Sequence, residues 1–342
     1  WSIVMRVFQI GVARFGKNWR LPFESIPGLE VVGILDTNRG FLEEAQSHFG
    51  LPPERCFSDP YGDWPTQAEA DFVVDSTPHP HHYENAIRTV RAGMDLVVVK
   101  PISDDYRNAV AMADEAQAAG RKLVVAQQLR FFPPILALRS LVSEGRVGHP
   151  AYVSIDAFFG RTGPVREKWW QRQPLLMEAA IHHFDLVRWV TGLEATAVRA
   201  DAWNMPWNDD AWGVKSAACL FELSNGGRFV FRGISTNQRS SAYPGSWVIE
   251  GPDGVLELSD GRITADGVQV WPNQGTEPPG LNLAELNLEV LRHAVSYFSS
   301  DEQGPEQAAG LTGAENLKSL SMAVGAVRSC ESGSRTCLPL SL

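Results

Sequence analysis

The chain has 342 residues, more than one hydrophobic core usually serves, so two domains are expected. Its composition, 44% apolar and 20% charged, is that of a soluble globular protein. A formal net charge of -10 argues against a nucleic-acid or anionic-membrane partner but leaves room for a local basic pocket.

In chain order, the first 127 residues alternate short apolar runs with helix-like stretches. The runs are 4–11, 30–36, 70–77, 95–100 and 122–128. They are rich in Val, Ile and Leu without period-two polarity, which is how strands buried on both faces of a parallel sheet read. Helices are predicted near 40–49, 81–92 and 103–119, the last opened by Asp104 and Asp105 and stopped by Gly120. The alternation predicts a doubly wound α/β domain over 1–127. A helix near 133–144 and a run at 151–160 open the second domain, 128–342. A helix over 176–191 stops at Gly192. Strand-like runs near 195–203, 214–223, 227–235, 246–250 and 254–258 follow, joined by Gly-, Asn- and Asp-rich turns that predict an antiparallel sheet. The stretch 272–280 reads as a loop, and helices near 282–299 and 312–329 close the chain.

Four cysteines, Cys56, Cys219, Cys330 and Cys337, are widely spaced with no C-x-x-C pair. They read as reduced thiols of a cytoplasmic protein; Cys330 and Cys337 could pair, but nothing requires it. No apolar run reaches transmembrane length. Strand-like sequence from Ile3 to Ile10 leaves no room for a secretory signal.

The first strand runs into G-V-A-R-F-G, with Gly11, Ala13 and Gly16 at the three positions of a dinucleotide-binding turn. The first glycine makes the tight turn, the second lets backbone approach a pyrophosphate, and the third allows close helix–strand packing. Ala13 places a methyl where the phosphate approaches. Asp36 ends the next strand, 20 residues beyond Gly16, where a carboxylate accepts bonds from a ribose diol. That favours NAD over NADP, although Arg14 and Arg39 lie near enough in sequence to meet a 2′-phosphate. The alternative is a plain tight turn and a surface aspartate. The third strand ends in Thr77-Pro78, with His82 expected to open the next helix and point toward bound ligand. Lys100-Pro101 ends the fourth strand, where a lysine can stabilise a substrate alkoxide. Histidines at 79, 81, 82, 182 and 183 keep a zinc site open as a rival, though without a standard ligand pattern.

Over 178–189 the sequence reads EAAIHHFDLVRW. On a helix, Glu178, His182, Asp185 and Trp189 fall at i, i+4, i+7 and i+11, one stripe carrying two carboxylates and an imidazole. A titratable row flanked by Ala179, Ile181, Phe184 and Leu186 suggests proton chemistry; the alternative is an exposed polar face.

Taken in order, these residues resemble the glucose-fructose oxidoreductase/inositol dehydrogenase (Gfo/Idh/MocA) family. The set is the Gly-rich turn, Asp36, Thr77-Pro78 with His82, Ala92-Gly93 before Lys100-Pro101, and Arg130-Phe131 with Pro133. It continues through Glu144 to Gly148, Glu178, His182, Asp185, Trp189 and Gly192, and closes with Gly313-Ala314-Glu315. The resemblance implies an N-terminal Rossmann domain and a C-terminal α/β domain with a large, open, mostly antiparallel sheet. It implies hydride transfer between NAD(P) and a hydroxyl or carbonyl of a sugar, sugar derivative or cyclitol, in a homodimer or homotetramer. Lys100 matches the lysine of the family's Glu-Lys-Pro, His182 its catalytic histidine, and Glu178 its aspartate. The cofactor-binding set expected is Gly11, Ala13, Arg14, Phe15, Gly16, Asp36, Thr77, Pro78, His79, His82, Lys100 and Pro101, with no metal. The substrate-binding set is Lys100, Arg130, Trp169, Trp170, Glu178 and His182, where the tryptophans suit stacking on a polyol or an oligomer interface. His182 is the expected general base, Lys100 steadies the developing alkoxide, and Glu178 binds a neighbouring hydroxyl or orients the base. Asp185 is expected in a structural role. Val99 in place of Glu, Ala13 in place of Gly, Glu178 in place of Asp and Ala180 in place of Gly depart from the family pattern. They keep open a non-catalytic nucleotide- or sugar-binding relative of the same fold.

Overall fold

The computed structural model describes residues 4–160, 173–207, 213–237, 241–273, 275–300 and 309–341. Its first compact unit comprises 1–128 and 282–317; its second comprises 129–281 and 318–342.

Six parallel strands make the sheet of the first unit: β1 (Met5–Ile10), β2 (Leu29–Leu35), β3 (Cys56–Phe57), β4 (Phe72–Asp75), β5 (Asp95–Val99) and β6 (Leu123–Ala126). The order is β3-β2-β1-β4-β5-β6. Val7, Phe8, Phe72, Val73, Val74, Leu96, Val97, Val98, Val124 and Val125 are buried, as the unbroken apolar runs predict. The helices are α1 (Arg20–Ser25), α2 (Arg39–Phe49), a single turn α3 (Trp64–Gln67), α4 (His82–Arg91) and α5 (Tyr106–Ala118). Asn38 caps α2 by accepting from Phe41 N at 3.2 Å, and Asp105 caps α5 by accepting from Arg107 N at 2.7 Å.

The second unit holds α6 (Pro133–Ser143), α7 (Ile181–Thr191) and strands β7 (Tyr152–Gly160), β8 (Ala195–Trp203), β9 (Ser216–Leu223), β10 (Arg228–Asn237), β11 (Ser246–Gly251), β12 (Gly254–Ser259), β13 (Arg262–Ala265) and β14 (Val268–Trp271). With β15 (Thr336–Cys337) they form a nine-stranded sheet, order β14-β13-β12-β11-β7-β10-β9-β8-β15. Every pairing is antiparallel except β7 with β10. The sheet is thus large and mostly antiparallel, as the resemblance implies.

One expectation is corrected. The second domain was to run from 128 to the end, but 282–317 belongs to the first unit. Helix α8 (Leu283–Phe298) lies against α1, the 3-10 turn Arg14–Trp19 and β6. Its Phe298 ring sits 5.3 Å from that of Phe72, and Lys122 Nζ donates to the Tyr297 and Ser300 carbonyls. The last helix, α9 (Gly313–Ser332), begins in the first unit and ends in the second.

All four cysteines are free thiols. No helix among the described residues is long and apolar enough to cross a membrane.

Candidate active site

In a parallel sheet every strand delivers its carboxyl end to the same edge. At that edge of the first unit lie the Gly11 turn after β1, Asp36 after β2, Thr77 after β4 and Lys100 after β5. The strand order reverses between β2-β1 and β4-β5, the switch point where open α/β sheets bind dinucleotides.

Gly11 has φ +77°, and a Cβ there would lie 2.9 Å from Ser76 C and Thr77 N. A Cβ on Gly16 would lie 2.1 Å from Gly11 O. Both outer glycines of the turn are therefore required by space. Ala13 is extended (φ -87°, ψ 165°) and opens the 3-10 turn, while exposed Arg14 is held at φ +44°. A side chain in that region is strained, a feature that gathers at ligand-binding loops. Phe15 is half-buried. Asp36 faces the turn, its Oδ2 accepting from Val12 N at 3.0 Å and its Oδ1 from Asn38 N at 2.9 Å. Of the nearby cations, Arg39 pairs with Glu43, and Lys17 and Arg20 with Glu44, while Arg14 sits in the turn itself.

Four residues that the sequence reading passed over hold this edge together. Gln9 is buried and donates from Nε2 to Gly16 O at 2.9 Å. Ser76 Oγ donates to Gly11 O at 2.6 Å. The fully buried Asp75 accepts from Thr77 N at 2.9 Å and Thr77 Oγ1 at 2.6 Å, and from Asn85 Nδ2 at 3.0 Å. For Gln9 and Asp75 the available signal was a polar residue inside an otherwise apolar strand; Ser76 and Asn85, in a loop and a helix, gave none.

Two of the expected cofactor contacts are corrected. His82 opens α4 as predicted, but its ring is wholly buried and bonded to backbone carbonyls, which takes it away from any bound dinucleotide. Pro101 is likewise buried, behind a cis peptide bond to half-buried Lys100. Pro78 is exposed at the sheet edge. The His79 side chain is 10% exposed and its Nδ1 lies 3.7 Å from Asp104, whose carboxyl is held below the usual range by the imidazole beside it.

In the second unit the row of Glu178, His182, Asp185 and Trp189 is built differently from the expectation. Leu175–Ala180 form a π turn and α7 begins at Ile181. A π turn hydrogen-bonds i to i+5 instead of i+4, which changes the backbone ladder before His182 but leaves Glu178 and His182, four apart, close to one face. Nor is the row an exposed polar face. His182 is 9% exposed, Asp185 is fully buried, and Glu178 is half-buried. Asp185 accepts from Arg130 Nε and Nη2, both at 2.6 Å, and from Ser319 Oγ at 2.7 Å. Arg130 is thereby corrected as a substrate contact: its guanidinium is buried, forked onto Asp185 and 4.9 Å from the Trp189 ring. The pair joins residues 55 apart and anchors the helix that carries His182. Next along, Arg188 binds Glu194 and Ser319. Burial would raise the Glu194 carboxyl, but Arg188 and Lys318 outweigh it and hold it low.

Trp169 and Trp170 lie outside the described residues, as do Arg166, Arg172 and 208–212. Trp203 and Trp207 are exposed, at 38% and 60%. Among the described residues no three His, Cys, Asp or Glu side chains are grouped to hold a metal; His82 and His183 face backbone carbonyls instead.

Residues 5–127 match the model of the oxidoreductase family with an NAD-binding Rossmann fold, and 135–257 match the Gfo/Idh/MocA C-terminal domain, together spanning well over half of the chain. The chain is 28% identical over 239 residues to protein y4oX of Sinorhizobium fredii, covering 67% of this chain and 65% of that protein. It is 24% identical to a D-apiose dehydrogenase of Paraburkholderia graminis, covering 95% and 87%, and 25% identical to an inositol 2-dehydrogenase of Rhizobium meliloti, covering 96% and 97%. Among solved structures, an Agrobacterium radiobacter oxidoreductase in complex with NAD+, L-tartaric acid and magnesium superposes with a TM-score of 0.84 at 21% identity, covering 98% of each chain.

Proposed function

The chain belongs to the Gfo/Idh/MocA family of oxidoreductases, and from that premise we propose that it moves hydride between NAD and a secondary hydroxyl of a cyclitol or sugar. The observation that carries this reading is the single edge of the parallel sheet to which the glycine turn, Asp36, Thr77 and Lys100 are delivered. The turn and the Asp36 carboxylate fit a dinucleotide: a tight backbone curve for the pyrophosphate and an acceptor for the ribose diol. A 2′-phosphate would meet the Asp36 charge, while Lys17, Arg20 and Arg39 are already paired with glutamates. This favours NAD over NADP.

When bound, NAD supplies the hydride acceptor. The protein's own groups do the rest. His182 takes the hydroxyl proton as general base, held on a helix that the Arg130–Asp185 pair fixes. Lys100, at the end of β5, stabilises the negative charge that develops on the substrate as the proton leaves. Glu178 binds a neighbouring hydroxyl. The outward face of the nine-stranded sheet carries exposed Tyr152, Leu220 and Trp203, and we infer that it meets a second copy of the chain.

The test is a melting curve with NAD and with NADP, followed by NADH formation across a panel of cyclitols and aldoses. NAD raises the melting point more than NADP, and at least one polyol is oxidised. His182→Ala and Lys100→Ala each lower kcat by at least about a hundredfold. If neither cofactor moves the melting point, or His182→Ala turns over normally, the reading fails. Light scattering tests the second copy: Leu220→Glu shifts the chain to monomer.

A further inference from the structure

His82 is a fully buried histidine at the first position of α4, so the cofactor contact expected of it does not account for it. Its Nε2 lies 2.8 Å from the Thr77 carbonyl, and its Nδ1 lies 3.0 Å from the Pro101 carbonyl and 3.3 Å from that of Ile102. These carbonyls come from two different strand ends. Thr77 follows β4, and Pro101 and Ile102 follow Lys100 at the end of β5. Both nitrogens face carbonyl oxygens: the imidazolium donates to both loops, while the neutral ring donates to one and packs against the other, so in either form the ring spans the two strand ends. A buried apolar side chain would fill the same space and leave those carbonyls without that donor.

The bridge is one link in a longer series. Gln9 bonds the carbonyls of Gly16 and Gly11, and Ser76 bonds that of Gly11. Asp75 grips Thr77 through its amide and hydroxyl. One turn beyond His82, Asn85 grips Asp75. Nearer the surface, His79 and Asp104 form a second crossing between the same two loops. The hydrogen bonds thus run from the glycine turn, through Thr77, to the turn behind Lys100.

We propose that His82 is a positioning residue that sets the Lys100 turn against the Thr77 loop, so that the lysine and the dinucleotide turn keep one fixed spacing. The ring touches neither cofactor nor substrate and acts through the backbone of both loops. The proposal rests on the reading of Lys100 and the glycine turn given under the proposed function.

A double-mutant cycle on the full chain tests it, using His82→Leu, His82→Asn, Lys100→Ala and the Lys100→Ala/His82→Leu pair. The substrate is whichever polyol the panel identifies. His82→Leu is expected to lower kcat by roughly 30- to 100-fold while changing KM for NAD less than about threefold. His82→Asn, which keeps one amide donor, recovers part of the loss. In the Lys100→Ala background, His82→Leu costs less than about threefold more, because the group it positions is gone. A full additional loss in that background, or equal losses in kcat and NAD affinity, overturns the proposal. A second measurement needs no turnover: hydrogen exchange of peptides covering 76–80 and 99–104. Faster exchange in both segments of His82→Leu supports the bridge, and unchanged exchange in either one sinks it. Failure of every polyol with the wild-type chain counts against the dehydrogenase reading alone.

Discussion

His183, the neighbour of the proposed base, shows burial deciding a charge state. Its Nδ1 lies 3.2 Å from Ala179 O and its Nε2 3.0 Å from Pro244 O, contacts that favour the cation. Desolvation outweighs both and lowers the pKa to about 4. The native ring therefore stays neutral where the unfolded chain, titrating near ~6.5, has taken up a proton. Stability from this group is complete above that pH and is lost as the pH falls toward about 4. Its limiting slope is about 1.4 kcal/mol per pH unit. Unfolding free energies between pH 7 and 4 should fall more steeply for the wild type than for His183→Gln; parallel profiles would refute the assignment. Asp36 carries a second prediction at this scale. Asp36→Ser leaves a shorter acceptor and no charge. Calorimetry should show NAD binding weakened at least about tenfold and the preference over NADP largely erased, whereas retained selectivity would place the discriminating group elsewhere.

At the scale of elements, the glycine turn and the 3-10 turn behind it form one packed object. Gly16 has a backbone carbonyl where a methyl would go. Gly16→Ala should cost about 1–3 kcal/mol in urea unfolding and weaken NAD at least about tenfold; an unchanged midpoint and affinity would show that the turn has slack. Elements of this kind differ in how openly the sequence displays them. Strands buried on both faces read as apolar runs, and the ends of α2 and α7 were marked by Gly50 and Gly192, both at positive φ. The two-residue β3 and the four-residue β13 and β14 are too short for a period to show. Helix α1 contains Pro22, which argues against a helix locally. The π turn at Leu175–Ala180 spans six residues, too few for its wider winding to show as a period in the sequence. In the site, the glycine turn, Asp36 and the Lys100 strand end were legible because local geometry specifies them. The pairing of Arg130 with Asp185 and the burial of His82 were not. Each is set by packing between segments far apart in sequence, and a polar residue at a helix start ordinarily reads as exposed.

At the scale of the whole molecule, the chain leaves the first unit after Gln128 and returns to it at Asn282. Local patterning gives no warning of that return, since α8 is an ordinary amphipathic helix. Its buried residues Leu286, Val290, Leu291 and Ala294 face the first unit's own elements, α1 and the 3-10 turn that follows the glycine loop. The 309–317 stretch adds to the edge of β6, with Val125 N donating to Leu311 O at 2.7 Å and an antiparallel bridge between Val124 and Thr312. Without these segments, a fragment of residues 1–128 would uncover the side of α1 and the 3-10 turn that α8 packs against, together with an unpaired strand edge. That fragment should therefore melt without cooperativity and aggregate. Residues 1–128 joined through a flexible linker to 282–317 should instead melt cooperatively and bind NAD within about threefold of the full chain, since every residue assigned to the dinucleotide lies in this unit. If the 1–128 fragment alone melts cooperatively and binds NAD as tightly as the full chain, the returning segment is dispensable to the nucleotide fold, and the boundary drawn from sequence was the physical one.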